Sequence, residues 1–487
     1  MEQATCGKTS VTQVEDSGDL ILKRSAIHQI LGLCFVYLTQ AGFFFAQTPN
    51  PPQPLKLDAA VEQALTNYPA IKTAQAQAAA AKANIDLART VYLPRLDLLY
   101  QENRATRNNV FGAVLPQSII SSISGPVLGS TSMDSTLGSA GGTLFSWEPF
   151  DFGVRRAQVD VARAYTNQAN ANITVTELDV ATSAADAFMA LAANEQAVRA
   201  AEANVFRAKT FADTVHALAN NQLRAGSEAA RADAELSVAR TQLLRAQQLT
   251  EISRAALAEA LGMPGSPVSI VSDLLLELPS DTTTPVPKFD FHPLAIAQKS
   301  AIEIVQAREH VLARSYVPRF NLQASLSGRG TGALTNGLFE GGWHGLFPNT
   351  PNYGIGMTVT FPAFDTFSIR ARRHVEAGNE AVERARYDQT IQALKGQFAR
   401  AQALIDGAVR IAQETPSQLK AAQEAERLTV ERYKYGLATA TDVADAQRLL
   451  AQAEIDDSVA RLNIWRALLV GAKLQGDLKP FLQRLKH

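Results

Sequence analysis

Two carboxylates three residues apart are the strongest candidate for chemistry in this 487-residue chain. Asp442 and Asp445, in the stretch "GLATATDVADA", share one helix face at that spacing. Repeated by symmetry around an opening, such a pair makes a cation-attracting ring. Alone, it is equally a solvated face near a helix N-terminus, where a carboxylate gains ~0.3–1 kcal/mol. Other motifs fail on spacing. "CGKTS" at 6–10 mimics the end of a phosphate loop, but the upstream glycine it needs is Glu2. "GRGTG" at 328–332 follows a strand pattern but opens no helix, so it is a poor dinucleotide site. The seven histidines are scattered and form no HExxH pair. Asp456 and Asp457 suit a solvated helix face. The sequence therefore predicts no catalytic residue, no cofactor and no metal set, and any transport must be driven from elsewhere.

Bulk properties narrow the classes further. Lys plus Arg number 46 against 47 Asp plus Glu, which gives no basic bias toward nucleic acid. The two cysteines, Cys6 and Cys34, lie near the N-terminus, so no thiol downstream can form a disulfide or act as a nucleophile. Residues 1–46 read as a signal peptide: Lys23 and Arg24 precede the apolar run 26–46, and "QTPNPPQP" follows. The alternative is an uncleaved anchor, since ~20 apolar residues can span a bilayer. Residues 47–56 read as a linker.

The elements that must position Asp442 and Asp445 come in two copies. Pro69 precedes Pro94 by the same distance as Pro293 precedes Pro318, and "YLPR" matches "YVPR". Pro94 and Pro318 mark a helix-to-strand switch in each half. The first repeat is 57–275, with a strand pair within 95–153; the second is 289–475, with a strand pair within 319–365; 476–487 is a tail. In "RFNLQASLS", Phe320, Leu322, Ala324 and Leu326 alternate with Asn321, Gln323, Ser325 and Ser327. "GIGMTVTF" at 354–361 alternates likewise, while the first pair, from Arg95 and from Thr143, is rougher. Loops at 105–141 and 328–353 are Gly- and Ser-rich, and Gly129 and Gly337 lie in them. The first long helix, from residue 154, runs without proline to a turn at Gly226, and Gly436 marks the matching turn in the second half. A single helix is expected from Leu57 to Tyr92, and Pro416 should kink or interrupt the second long helix.

These lengths exclude a compact globule, because a ~100 Å helix must bury a stripe along its length. A coiled-coil rod would also fit the helices. The strands favour another answer. Four amphipathic strands cannot lie open in hydrocarbon and are too few to close a barrel, so copies must combine. A pore argues for three or more, since eight strands are filled by their own side chains.

The plan of helix, strand pair and long helix, repeated twice, resembles the outer membrane efflux protein family, the TolC-like channels. "YLPRLDL", "YVPRFNL", "LFSWEPFDFG", "VTFPAFD" and "YKYGLATATDVADAQ" carry the resemblance, which covers about residues 55–475. It implies a mainly α fold with a small β part: long helical hairpins forming a periplasmic tunnel, and four strands per chain in a shared trimeric twelve-stranded outer-membrane barrel. It implies a homotrimer in contact with outer-membrane lipid, a periplasmic adaptor and an inner-membrane pump as partners, and an exit duct for small molecules. A channel serving type I protein secretion and a periplasmic adaptor remain alternatives.

The resemblance also implies site residues. Asp442 and Asp445 match aspartates lining the periplasmic constriction, and Tyr433 matches a tyrosine that helps to hold it closed. The turns at Leu223, Ala225 and Gly226 and at Gly436, Leu437 and Thr439 form the periplasmic rim where an adaptor docks. Four positions depart from the family. Ala438 stands in place of a locking arginine, and Arg231 and Ala232 replace a polar pair in the first turn, so a weaker lock is expected. Asp233 lies seven residues after Gly226 rather than six, so the two docking grooves should bind unequally. Trp147, Trp343 and Phe347 suit a membrane interface or loop packing.

Overall fold

A computed structural model describes residues 54–106, 108, 115, 117–120, 127–336, 338 and 340–485. All but the last two residues of the unit Pro54–His487 fall within these bounds or between them. Residues 1–53, read above as a signal peptide and most of a linker, lie outside the described residues, as does Gly337.

Helix α1 (Leu57–Asn67) and helix α2 (Pro69–Arg89) replace the single helix expected from Leu57 to Tyr92. The break is at Tyr68, whose backbone is extended (φ −66°, ψ 126°) because Pro69 disfavours a helical residue before it. Pro69 then starts α2, where its missing N–H costs nothing. His292 and Pro293 repeat the device at the start of α5 (Pro293–Arg314). The long helices are α3 (Val154–Asn220), α4 (Gly226–Ala260), α6 (Thr366–Lys434) and α7 (Ala440–Gln475), and a short α8 (Lys479–Arg484) ends the chain. At 1.5 Å per residue, α3 and α6 are each roughly 100 Å long.

Pro416 does not interrupt α6. It removes one backbone bond, but the residues on either side are held by packing: Ala412, Thr415 and Ala422 are all buried. Thr415 Oγ1 donates to Asp457 Oδ1 at 3.0 Å, beside the proline. Asp457 is therefore not on a solvated face as expected; it is buried and also pairs with Arg461 at 3.1 Å.

Helix α3 packs against α1, α2 and α4 of its own half and against α5 and α7 of the other. Helix α6 packs against α5 and α7 and leaves Val375, Val382, Leu404 and Ile411 exposed. The largest apolar core joins α1, α3, α4 and α7 to the connector and tail, through Phe188, Leu257, Leu462, Trp465 and Phe481. A separate core, with Phe211, Val215, Ala232, Leu236, Tyr433 and Val443, joins the far ends of the two hairpins.

Four strands form one antiparallel sheet in the order β1-β2-β3-β4: β1 (Arg95–Thr106), β2 (Ser135–Phe150), β3 (Arg319–Thr331) and β4 (Thr350–Thr360). Pro94 and Pro318 each sit immediately before a strand. Strand β2 begins eight residues earlier than its expected start at Thr143, so "STLGSAGG" is strand and not loop. It is a central strand, and pairing on both sides supplies what its composition lacks. Strand β3 likewise runs on through "GRGT".

Candidate functional site

The register sorts the sheet into two faces, since directly opposed residues of an antiparallel pair share a side. Leu98 opposes Thr143, Thr143 opposes Leu326, and Leu326 opposes Tyr353. With Leu96, Phe145, Trp147, Leu322, Ile355, Met357 and Val359, these residues make one face apolar from the helix-proximal end to its middle, while Glu102 and Arg104 stand on its outer end. It is also bare: Leu98 is 72% exposed, Tyr353 85% and Ile355 77%. The other face carries Asp97, Gln101, Asn321, Gln323, Ser325, Ser327 and Arg329. Strands β1 and β4 are the two edges of the sheet. Trp147 lies on the apolar face, its indole N–H donating to Tyr92 O at 3.1 Å, while Trp343 and Phe347 are exposed in the β3–β4 loop.

At the far end of the helices, both hairpin turns meet. The first turn spans residues 221–225, between α3 and α4, with Leu223 and Ala225 exposed. Its positive-φ residue is Gln222 (φ 61°) and not Gly226, which opens α4. The second turn spans residues 435–439. Here Gly436 has φ 76°, a conformation that disfavours any Cβ, and Leu437 is exposed. Thr439 caps α7 in a reciprocal box: Asp442 N donates to Thr439 Oγ1 at 3.3 Å, and Thr439 N donates to Asp442 Oδ2 at 2.8 Å. These backbone and hydroxyl hydrogen bonds lower the Asp442 carboxyl below its ordinary value.

Asp442 and Asp445 are both exposed on one side of α7, as their spacing predicts. Each already has work within the chain, Asp442 in the cap and Asp445 in an ion pair with Arg448. Arg448 also approaches Glu235 on α4 at 3.9 Å. Asp233 does not cap α4; His216 Nε2 meets its Oδ1 at 2.8 Å and ties α3 to α4.

Tyr433 is the link between the two turns. It is 1% exposed, and its ring meets Phe211 edge-on at 5.0 Å. Its hydroxyl donates to Glu228 Oε2 at 2.8 Å. Arg224, from the first turn, lies over the Tyr433 ring at 4.7 Å and donates to the Tyr433 carbonyl at 2.9 Å. Arg224 also pairs with Glu228 at 3.7 Å. Burial, and then the Glu228 carboxylate, push the Tyr433 phenol up to about 12. A guanidinium and a carboxylate are present, supplied by Arg224 and Glu228, while Ala232 fills the apolar core beneath. The sequence reading missed both residues. Their signal was the Arg–Glu pair at i,i+4 straddling the turn.

The comparisons with known proteins agree with this architecture. The family model of the outer membrane efflux proteins matches residues 60–263 and 298–469. No curated protein matches the chain. Among solved structures, the chain is similar to the outer membrane protein VceC from Vibrio cholerae, at 18% identity and TM-score 0.65, over 87% of this chain and 97% of that one. It is similar to the CmeC outer membrane channel of Campylobacter jejuni, at 16% identity and TM-score 0.66, over 88% and 89%. It is also similar to the MtrE outer membrane channel of Neisseria gonorrhoeae in its open state, at 20% identity and TM-score 0.62, over 86% and 89%. These identities establish a shared fold. The family match, which spans both repeats and most of the chain, establishes more: the protein belongs to the outer membrane efflux protein family.

Proposed function

We propose that three copies of this chain close a twelve-stranded barrel in the outer membrane, continuous with a helical tunnel in the periplasm. The assembly is a passive exit duct for small molecules. An inner-membrane pump delivers them, through a periplasmic adaptor that docks at the hairpin turns. The observation that carries this reading is the sheet: four strands, two open edges and one exposed apolar face. Hydrocarbon accepts the face but not the edges, and joining β4 of one copy to β1 of the next removes every edge. The exposed apolar stripe on α6 supports the same seam continuing down the helices.

In this reading Asp442, Asp445 and Tyr433 lie at the periplasmic mouth. Tyr433, Glu228 and Arg224 hold the two hairpins together there, and the carboxylates of three copies ring the opening. The β1–β2 and β3–β4 loops lie outside the cell. The test is labelling with a membrane-impermeant thiol reagent on intact cells. A cysteine at Gly129 should react at once, and cysteines at Leu223 or Leu437 only after the outer membrane is opened. The reverse pattern overturns the orientation, and no reaction at Gly129 in either state overturns the membrane placement.

A further inference from the structure

Next to the sheet, the helical wall carries a band of arginines on one side. Helix α5 packs between α3 and α6, so the end of α5 and the starts of α3 and α6 lie side by side. A groove there is lined by Gln158, Arg308, Leu312 and Arg372. Gln158 also lines the recess that holds Glu148, Arg319 and Asn321, so the groove lies on the side of the sheet's polar face. Successive helical residues turn by about 100°, so residues two apart point in nearly opposite directions. Arg156, Arg314 and Arg370 each stand two residues from a groove residue of the same helix, and so do His310 and His374. These five residues therefore project from the other side, the one continuous with the apolar face. All five are exposed.

The three guanidiniums are uncompensated. Among the described residues, Arg156, Arg314 and Arg370 have no carboxylate partner. Asp160, on the same side of α3, is already paired with Arg163 at 2.8 Å. Exposed rings mark the step from strand to band: Phe150 closes β2, Phe364 follows β4, and Phe367 shares a helix face with Arg370 three residues on. The order along the wall is apolar strand, exposed ring, then arginine.

We propose that Arg156, Arg314 and Arg370 bind the anionic headgroups of the phospholipid leaflet that faces the periplasm. The inference rests on the barrel of the preceding section, which sets the apolar face in hydrocarbon and this band at the headgroup layer. A guanidinium suits a lipid phosphate, because it offers parallel N–H donors and is weakly hydrated. Basic residues just outside an apolar span are drawn to anionic lipid, and the attraction fades within a Debye length. The exposed imidazoles of His310 and His374 add N–H donors at the same level. Helices α3 and α5 each have a neighbour of the same chain on both sides, so Arg156 and Arg314 lie away from the seam between copies. Three copies thus present the band as a collar around the base of the barrel, and the bound headgroups set the depth at which the barrel sits.

The test is native mass spectrometry of the purified full chain in mild detergent, titrated separately with phosphatidylglycerol and phosphatidylcholine of the same acyl chains. The spectrum counts protein chains and bound lipids together. Phosphatidylglycerol should bind more tightly, by roughly five-fold or more. Arg156→Gln, Arg314→Gln and Arg370→Gln combined should abolish the preference, and the three lysine substitutions should keep most of it. Arg308→Gln with Arg372→Gln, on the opposite side of the wall, should leave it unchanged. Inorganic phosphate should not displace the lipid; displacement would make the band a plain anion site and overturn the assignment to lipid. Three chains per particle with equal uptake of the two lipids, or a preference that survives the triple glutamine variant, overturns this inference alone. A single chain per particle overturns the barrel reading beneath it.

Discussion

The hydroxyl of Tyr433 donates to the Glu228 carboxylate at 2.8 Å, joining the end of α6 in one hairpin to the start of α4 in the other. A hydrogen bond to a charged partner is worth ~1.5–3 kcal/mol. Tyr433→Phe keeps the buried ring and removes only that bond. In planar bilayers it should raise the open fraction about ten-fold or more, since 1.4 kcal/mol is a factor of ten. Arg224→Gln should act in the same direction, by loss of the carbonyl bond, the ring contact and the ion pair. Unchanged closure in both variants would show that the cross-turn contacts do not hold the mouth.

The carboxylates of α7 should matter as a set. Asp442→Ala with Asp445→Ala should lower cation preference at the mouth and weaken block by multivalent cations in single-channel recordings. The cap predicts a further asymmetry. Thr439→Ala should cost ~0.5–2 kcal/mol in thermal unfolding, and Thr439→Ser much less, because only the hydroxyl is used. Selectivity and block that ignore the double substitution would place both carboxylates away from the opening.

Docking of an adaptor should differ between the turns. The second is pinned by Gly436 at φ 76° and by the capping box, while the first has no side-chain cap. Ala225→Trp and Leu437→Trp, made separately, should impair pump assembly to different degrees, as read by co-purification with the adaptor. Gly436→Ala should cost ~1–2 kcal/mol by forcing a Cβ into the left-handed region. Equal and negligible loss from both tryptophans would count against docking at the turns.

One acid-sensitive joint lies far from both ends. His292 is buried, accepts from Leu294 N through Nδ1 at 3.2 Å and meets Lys473 O through Nε2 at 3.1 Å. It thereby joins the start of α5 to the end of α7. Burial pushes its pKa below 6.5. Neutral His292 is thus preferred in the folded chain, and its contribution is complete above about 6.5. Stability should fall as pH drops below that value toward the lowered folded pKa. Melting temperatures measured from pH 7.5 to 5.5 should show this decline, and His292→Asn should flatten it. An equal decline in the variant would assign the acid sensitivity elsewhere.

Much of this architecture is legible in the chain because its signals are local. Alternation at Phe320 to Ser327 fixes the faces of β3, and Pro94 and Pro318 fix where helix becomes strand. Gly436 and the Thr439–Asp442 spacing fix the second turn. What escaped depends on distant partners. "STLGSAGG" becomes strand only because β1 and β3 pair with it on both sides. Pro416 is carried through α6 by contacts with α7, and Asp457 is buried for the same reason. Arg224 and Glu228 gain meaning only when Tyr433, more than 200 positions away, is brought between them. The break at Tyr68 was legible: the rule for residues before proline predicts it.

The most direct measurement is the mass of the purified protein in mild detergent. Three chains per particle is the result that four strands per chain and a shared barrel predict. A stable single chain, monodisperse in buffer without detergent, would contradict it, because the exposed apolar face and the open edges of the sheet could not then remain in water.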